Sequence, residues 1–247
     1  MEIFNKDIRE LTFVAFDLET TGLFPITSGI IEIGAVKFTL DGEISRYQAL
    51  VNPEMLISES SFLIHGITQE MVINQPTIEK VLPDFLDYIK DTVLIAHNAV
   101  FDVSFISYSL VHHGFEIPKN FVLDTRTLAK SLVDAPDFKL ITLTKFFDIP
   151  YTTFHRAVND AEYCKNVFIN LMKVLSKERS INLEIISIYN KPLQFSIISK
   201  DKNNSMELPE MYRPLREAIH ESSVVKISYK RFNGEIISAD SRQIYKK

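Results

Sequence analysis

A single cysteine, Cys164, rules out an internal disulfide framework. Its place in an apolar helical stripe argues for a small core side chain and against a thiolate-bound metal cluster. No apolar run approaches the roughly 20 residues needed to cross a bilayer; the longest are strand-sized pieces such as Phe13 to Phe16. The first ten residues mix charges of both signs and lack the apolar centre of a secretory signal. A cytoplasmic protein with no membrane association is therefore expected. A surplus of positive charge is missing too: 27 Lys and Arg stand against 32 Asp and Glu, a net charge of −5. That balance argues against a protein that coats nucleic acid through a broad basic surface. Internal repeats and low-complexity tracts are absent.

What is present is an apolar content of 46% over 247 residues, enough to bury one large domain and to leave an appendage. The charge is unevenly spread. From Lys177 onward there are 13 basic and 9 acidic residues, so residues 1–176 carry −9. Carboxylates concentrated in that part need neutralising before an anionic ligand can approach, and metal cations are candidates.

Residues 12–19 are apolar on both alternating faces until the acids appear, the pattern of a central strand covered on both sides. Ile30 to Phe38 and Ile44 to Val51 read as two further strands joined by a hairpin turn at Leu40-Asp41-Gly42-Glu43, so the sheet begins as an antiparallel meander. After Pro53 the pattern is helical through about Lys90. A strand at Val93 to Ala96, a helix at Val100 to His113 and a strand at Phe121 to Leu123 follow, giving the alternation of an α/β fold with parallel strands. Helices are predicted at 125–132 and 140–147. A long amphipathic helix is predicted over 156–175, with Ala157, Ala161, Cys164, Phe168, Leu171 and Leu175 on one face. The polar stretch 199–205 has linker composition. These features divide the chain into a domain over 1–176, a linker region over 177–206 and a small C-terminal α+β appendage over 207–247. In the appendage a helix at 215–219 is followed by strands at 224–229 and 235–238 flanking Asn233-Gly234.

Three groups of residues carry candidate chemistry. Asp17 and Glu19 are two apart on the first strand, so both side chains point to one face of the sheet. Two buried acids there each lose several kcal/mol of hydration unless paired or metal-bound; alternatively the strand ends at Phe16 and both are solvated. Asp102 lies at a strand-to-helix junction, one turn before Phe105 and Ile106, in a position that favours its ionised form; an ordinary first-turn aspartate reads the same way. His155 and Asp160 bracket the start of the long helix. A histidine with an unperturbed pKa near about 6.5 can take a proton from water and return it. A capping histidine with a first-turn aspartate is the structural alternative.

The order of these groups carries more than each alone. Phe16-Asp17-Leu18-Glu19-Thr20-Thr21-Gly22-Leu23, then His97-Asn98-Ala99-Val100-Phe101-Asp102, then His155-Arg156-Ala157-Val158-Asn159-Asp160-Ala161 resemble, in sequence, the motifs of the DnaQ-like, or DEDDh, family of 3′–5′ exonucleases. Ile64-His65-Gly66-Ile67-Thr68 matches a further recurrent family segment. The resemblance covers residues 10–175. It implies a ribonuclease H-like mixed sheet flanked by helices, with Asp17, Glu19, Asp102 and Asp160 as metal ligands and His155 as general base. Hard oxygen ligands suit two Mg²⁺ ions, or Mn²⁺, rather than zinc. The partners implied are the 3′ ends of single-stranded DNA or RNA and, for a proofreading enzyme, a DNA polymerase subunit. Thr20, through its backbone, Asn98, His65 and Phe105 are the implied substrate contacts. Phe105 can equally be core, and His65 can satisfy local backbone. Asn159 departs from the family, many of whose members carry aspartate there.

Residues 212–235 resemble the opening segment of WYL-type ligand-sensing domains, the remainder of which is absent. The positive charge of this tail could instead guide nucleic acid or dock a partner. Within the exonuclease reading, a proofreading activity and a stand-alone trimming enzyme for DNA or RNA both stay open, and so do two readings of other classes: a non-catalytic nucleic-acid or partner-binding module, and a structural metal-binding protein.

Overall fold

The computed structural model describes residues 2–176 and 180–195, together with the backbone of 227–230 and 236–239. Two compact units divide it, Met1–Lys200 and Asp201–Lys247.

The first unit is built on a six-stranded mixed sheet of order β3-β2-β1-β4-β5-β6. Strands β1 (Phe13–Thr20), β2 (Ile30–Thr39) and β3 (Gly42–Leu50) form the antiparallel meander. Strands β4 (Val93–Ala96) and β5 (Phe121–Asp124) run parallel to β1, and β6 (Leu193–Gln194) closes the edge antiparallel to β5. Ahead of the sheet lie a short helix α1 (Glu2–Asn5) and a 3₁₀ turn at Ile8–Glu10.

The central strand β1 is apolar on both faces because both are covered. Phe13 and Ala15 pack among helices α6 (Thr125–Leu132), α7 (Leu140–Phe146), α8 (Ala157–Leu175) and α9 (Leu183–Tyr189). Val14, Phe16 and Leu18 pack on the other side against α4 (Ile78–Tyr88) and α5 (Val100–His112). Asp17 and Glu19 continue the Phe13–Ala15 face, so the alternation of the pleat delivers both acids to the side covered by α8.

Between β3 and β4 the helical stretch expected through Lys90 is divided into α2 (Glu59–His65), α3 (Gln69–Val72) and α4. Gly66 ends α2 in the left-handed conformation at φ 68°, and its N–H donates to the Phe62 carbonyl, so the chain turns where a continuous helix would run on. Within the expected linker region, the described residues 180–195 carry regular structure. Asn182 caps α9, its Oδ1 accepting from the Ile185 N–H at 3.0 Å, while Leu183 and Ile186 enter the core and β6 pairs with the sheet. Short apolar segments such as these carry too weak a period to be recognised alone; the exposed edge of β5 supplies the partner that orders them. The linker at 199–205 and the helix at 215–219 lie outside the described residues.

In the second unit β7 (Ile227–Lys230) and β8 (Ile236–Ala239) pair antiparallel, and the expected turn at 233–234 lies outside the described residues. Among the described residues no helix is long and apolar enough to cross a membrane.

Helix α8 approaches the sheet most closely at Gly34 of β2, where a Cβ would stand 2.1 Å from the backbone carbon of Ala157 and the nitrogen of Val158. Neither atom can swing aside, so Gly34→Ala must push the start of α8 away from the sheet. We expect a loss of about 1–3 kcal/mol in chemical denaturation, with a larger fractional loss of whatever activity depends on Asp160.

Candidate active site

The site forms where β1 ends. A register shift between Glu19 and Thr20 interrupts the β1–β2 ladder, and bulges of this kind re-aim side chains next to functional sites. Asp102 arrives from the first turn of α5, and its Oδ1 accepts the Leu18 N–H at 3.1 Å. That contact fixes it beside the strand, between the positions of Asp17 and Glu19. Asp160 arrives from the first turn of α8; one ligand atom each from Glu19, His155 and Asp160 lie within 4.8 Å of one another. His155 precedes the helix in a left-handed conformation at φ 63°, and its N–H donates to Asp160 Oδ2 at 3.0 Å. Glu19, His155 and Asp160 thus meet, and Asp17 feels the charges of Asp102, Asp160 and Glu19, although Asp17 and Asp160 are 143 positions apart in the chain.

Burial, aided by neighbouring charges, raises the pKa of all four acids. Burial, then the charges of Asp102, Asp160 and Glu19, push Asp17 well above the usual carboxylate range. Burial first, then the charges of Asp160, Glu32 and Asp102, raise Glu19 to about 8. Burial raises Asp102 to about 8 against the lowering effect of its backbone hydrogen bonds, and raises Asp160 to about 6 against the bond from His155. Without a cation this cluster is under electrostatic strain. Asp160 Oδ1 is buried and has no hydrogen-bond partner among the described residues. An orphaned carboxylate oxygen amid further carboxylate donors and the His155 imidazole fits a divalent cation.

The expected substrate contacts divide. Thr20 is nearly buried, and its hydroxyl donates to the Gly22 carbonyl at 2.6 Å, so the side chain is committed to the turn. Asn98 is exposed in a left-handed conformation; its N–H donates to Asp124 Oδ1 at 3.0 Å and its Oδ1 accepts from Arg126 at 3.1 Å. His65 is 6% exposed. Its Nδ1 accepts the Ile67 N–H at 3.0 Å, which serves the local backbone as one of its two readings requires, while Nε2 is buried and unpartnered among the described residues. Burial lowers its pKa, so the neutral ring carries its proton at Nε2. Phe105 is the correction. It is 1% exposed within the core, its ring 5.0 Å from that of the half-buried Phe101, and it offers no face to a base. Helical spacing places Phe105 on the inward face of α5, and the core alternative holds.

Several residues around the site have structural roles that the sequence did not assign. Asp124 caps α6, accepting from the Arg126 N–H at 2.9 Å and the Thr127 hydroxyl at 3.1 Å as well as from Asn98. It thereby ties the loop ahead of α5 to the end of β5. His97 bridges Thr125 (2.9 Å) and the Phe138 carbonyl (3.1 Å), and burial lowers its pKa to about 4. Asn159, the family departure, donates to Thr153 Oγ1 at 3.0 Å and holds the loop before α8. Glu32 is fully buried and opposite Glu19 in the β1–β2 register, joined to Arg156, Ala157 and Gln48. A glutamate inside the otherwise apolar run Ile30 to Val36, with Gly34 two residues on, was the available signal.

A mixed sheet whose central strand ends in paired acids, met by acids from the first turns of two helices, defines a ribonuclease H-like exonuclease domain. The chain belongs to the exonuclease family RNase_T, which matches residues 14–168. It is 43% identical over 182 residues to a DNA polymerase III PolC-type protein of Caldanaerobacter subterraneus, a match covering 73% of this chain and 13% of that protein. A DNA polymerase III PolC-type protein of Thermotoga maritima is 38% identical over 169 residues, covering 68% of this chain and 12% of that one. The chain therefore spans only about an eighth of the length of these relatives. Among solved structures, exonuclease X in complex with 5′ overhanging duplex DNA superposes with a TM-score of 0.55 at 27% identity, covering 72% of this chain and 99% of that one. Exonuclease I in complex with a dT13 oligonucleotide, from E. coli, shares the fold at 20% identity and a TM-score of 0.59, covering 69% of this chain and 42% of that one.

Proposed function

We propose that this domain hydrolyses the terminal phosphodiester at the 3′ end of single-stranded DNA, releasing 5′-mononucleotides, with Asp17, Glu19, Asp102 and Asp160 holding two Mg²⁺ ions and His155 as general base. The observation that carries the reading is the meeting of Glu19, Asp160 and His155, with Asp17 and Asp102 close by and the buried Asp160 Oδ1 left without a partner among the described residues. When bound, the cation pair supplies the positive charge that an anionic phosphodiester needs before a nucleophile can approach. The protein's own part is positional and acid–base. Leu18 N–H holds Asp102 by Oδ1, and His155 N–H holds Asp160 by Oδ2, which keeps Asp160 Oδ1 for a cation. The exposed imidazole of His155 takes the proton of the attacking water and later returns it. Its backbone bond to Asp160 keeps that base in register with the carboxylates.

DNA is favoured over RNA because the relatives at 35–43% identity bear the name of a DNA polymerase and exonuclease X carries duplex DNA with an overhang. The same relatives make proofreading beside a polymerase subunit the role proposed, with action in the cytoplasm. The decisive assay follows single-stranded DNA and RNA, labelled at either end, with Mg²⁺ and with a chelator. We expect a 5′-labelled DNA strand to shorten stepwise and a 3′-labelled one to release labelled mononucleotide at once, with chelator stopping both. Shortening from the 5′ end, internal cuts, or turnover in chelator would refute the proposal.

A further inference from the structure

We infer that Glu32 is a positioning residue, setting where His155 and Asp160 stand against β1 by gripping two of the four residues between them, Arg156 and Ala157. The kinetic arm of its test rests on the nuclease reading above; the structural arm does not.

Glu32 is 0% exposed, and both of its oxygens are fully engaged. Oε1 accepts from Arg156 Nη2 at 2.8 Å and from Gln48 Nε2 at 2.7 Å. Oε2 accepts from Arg156 Nε at 3.2 Å and from the Ala157 N–H at 3.0 Å. Four donors on two oxygens leave no lone pair directed at the cluster of acids, which separates Glu32 in role from Asp17, Glu19, Asp102 and Asp160. A carboxylate enclosed this way is costly to desolvate, and its retention requires the whole set of partners.

Those partners converge on one place. Arg156 is the residue ahead of α8 and makes no side-chain cap of its own. Glu32 therefore does the capping from β2, placing a negative charge where a helix of 19 residues presents unpaired N–H groups and the positive end of its dipole. Gly34, on the same face of β2 and two residues away, removes the side chain that would keep α8 at a distance. His155 stands immediately before the gripped pair and Asp160 one turn after it. Their mutual bond closes the segment on itself, so the group moves as a unit whose connection to the sheet runs through Glu32. Because Glu32 lies directly opposite Glu19 in the register, the same contact sets how far Asp160 stands from Glu19. That separation decides whether both can share a cation.

The test compares the full chain with Glu32→Gln, Arg156→Gln and the double variant. In the metal-free proteins, amide hydrogen exchange over 155–160 is expected to accelerate by roughly tenfold or more in Glu32→Gln, with the amides of β1 and α5 unchanged. With Mg²⁺ and a single-stranded oligonucleotide, kcat is expected to fall roughly 10–100-fold while KM stays within about twofold, as when a ligand's supporting partner is lost. The double variant is expected to be no worse than the poorer single, because both changes cut the same contact. Unchanged exchange over 155–160 overturns the inference, and so does faster exchange across the whole sheet, which marks a merely structural role. Effects of the two single variants that multiply in the double variant overturn it as well. Should Glu32→Gln fail to fold, Gln48→Leu removes one of the four donors and is judged by the same exchange pattern. Absence of turnover in the unaltered chain refutes the nuclease proposal alone, and the exchange measurement still decides the role of Glu32.

Discussion

Asp17→Asn should abolish Mg²⁺-dependent hydrolysis while making the metal-free protein harder to melt. The first effect comes from removing a ligand and its charge from a cluster whose task is to hold cations; a loss of about three orders of magnitude or more in kcat corresponds to the several kcal/mol such ions contribute. The second comes from relieving repulsion among acids that burial has already strained. Its sign follows from linkage. Glu19 and Asp102 have folded pKa values of about 8, above the range of an unfolded chain, so the folded state holds protons that the unfolded state has shed. Their contribution to stability is full below the unfolded value and is lost as pH climbs towards about 8. His97 acts oppositely: lowered to about 4, it adds stability as pH rises towards its ordinary value near about 6.5 and adds nothing further beyond it. The carboxylates are therefore best read between pH about 6.5 and about 8. Over that window the melting temperature of the metal-free protein should fall, Asp17→Asn should melt higher, and Mg²⁺ should restore the unaltered chain far more than the variant. A metal-free melting temperature that climbs from pH about 6.5 to about 8 would contradict the charge cluster.

His155→Gln separates the base from the ligands. General base catalysis contributes roughly 10²–10⁴-fold, so kcat should drop within that range. The Mg²⁺ concentration for half-maximal rate should stay within about twofold, because the four acids remain. The imidazole lies close enough to Glu19 and Asp160 to be read as a ligand in its own right. In that case the variant would need much more Mg²⁺ and regain its rate at saturation. Full activity of the variant from pH about 6 to about 9 would remove His155 from the mechanism altogether.

Much of this site could be read before any coordinates. Asp17 and Glu19 share a face because a strand alternates, and Asp102 and Asp160 sit in first turns because apolar periods mark where α5 and α8 begin. The meander and the later parallel strands were legible from apolar runs and from turn residues at 40–43. Other features were not. The break between α2 and α3 depends on Gly66 adopting a left-handed conformation, and α9 with β6 is ordered by an edge that exists only once β5 is in place. Phe105 carried an even choice between base and core, decided by which way α5 rolls.

The amino-acid sequence by itself determined which side chains can do chemistry here and on which elements they ride, because periodicity and turn chemistry act over neighbouring residues. Tertiary structure alone decided that acids from β1, α5 and α8 meet with one oxygen of Asp160 left free, and that Glu32 faces α8 while Phe105 faces the core. Those outcomes depend on the crossing of distant segments, where Gly34 permits close approach and a buried carboxylate selects its partners, and no local pattern along the chain encodes that meeting.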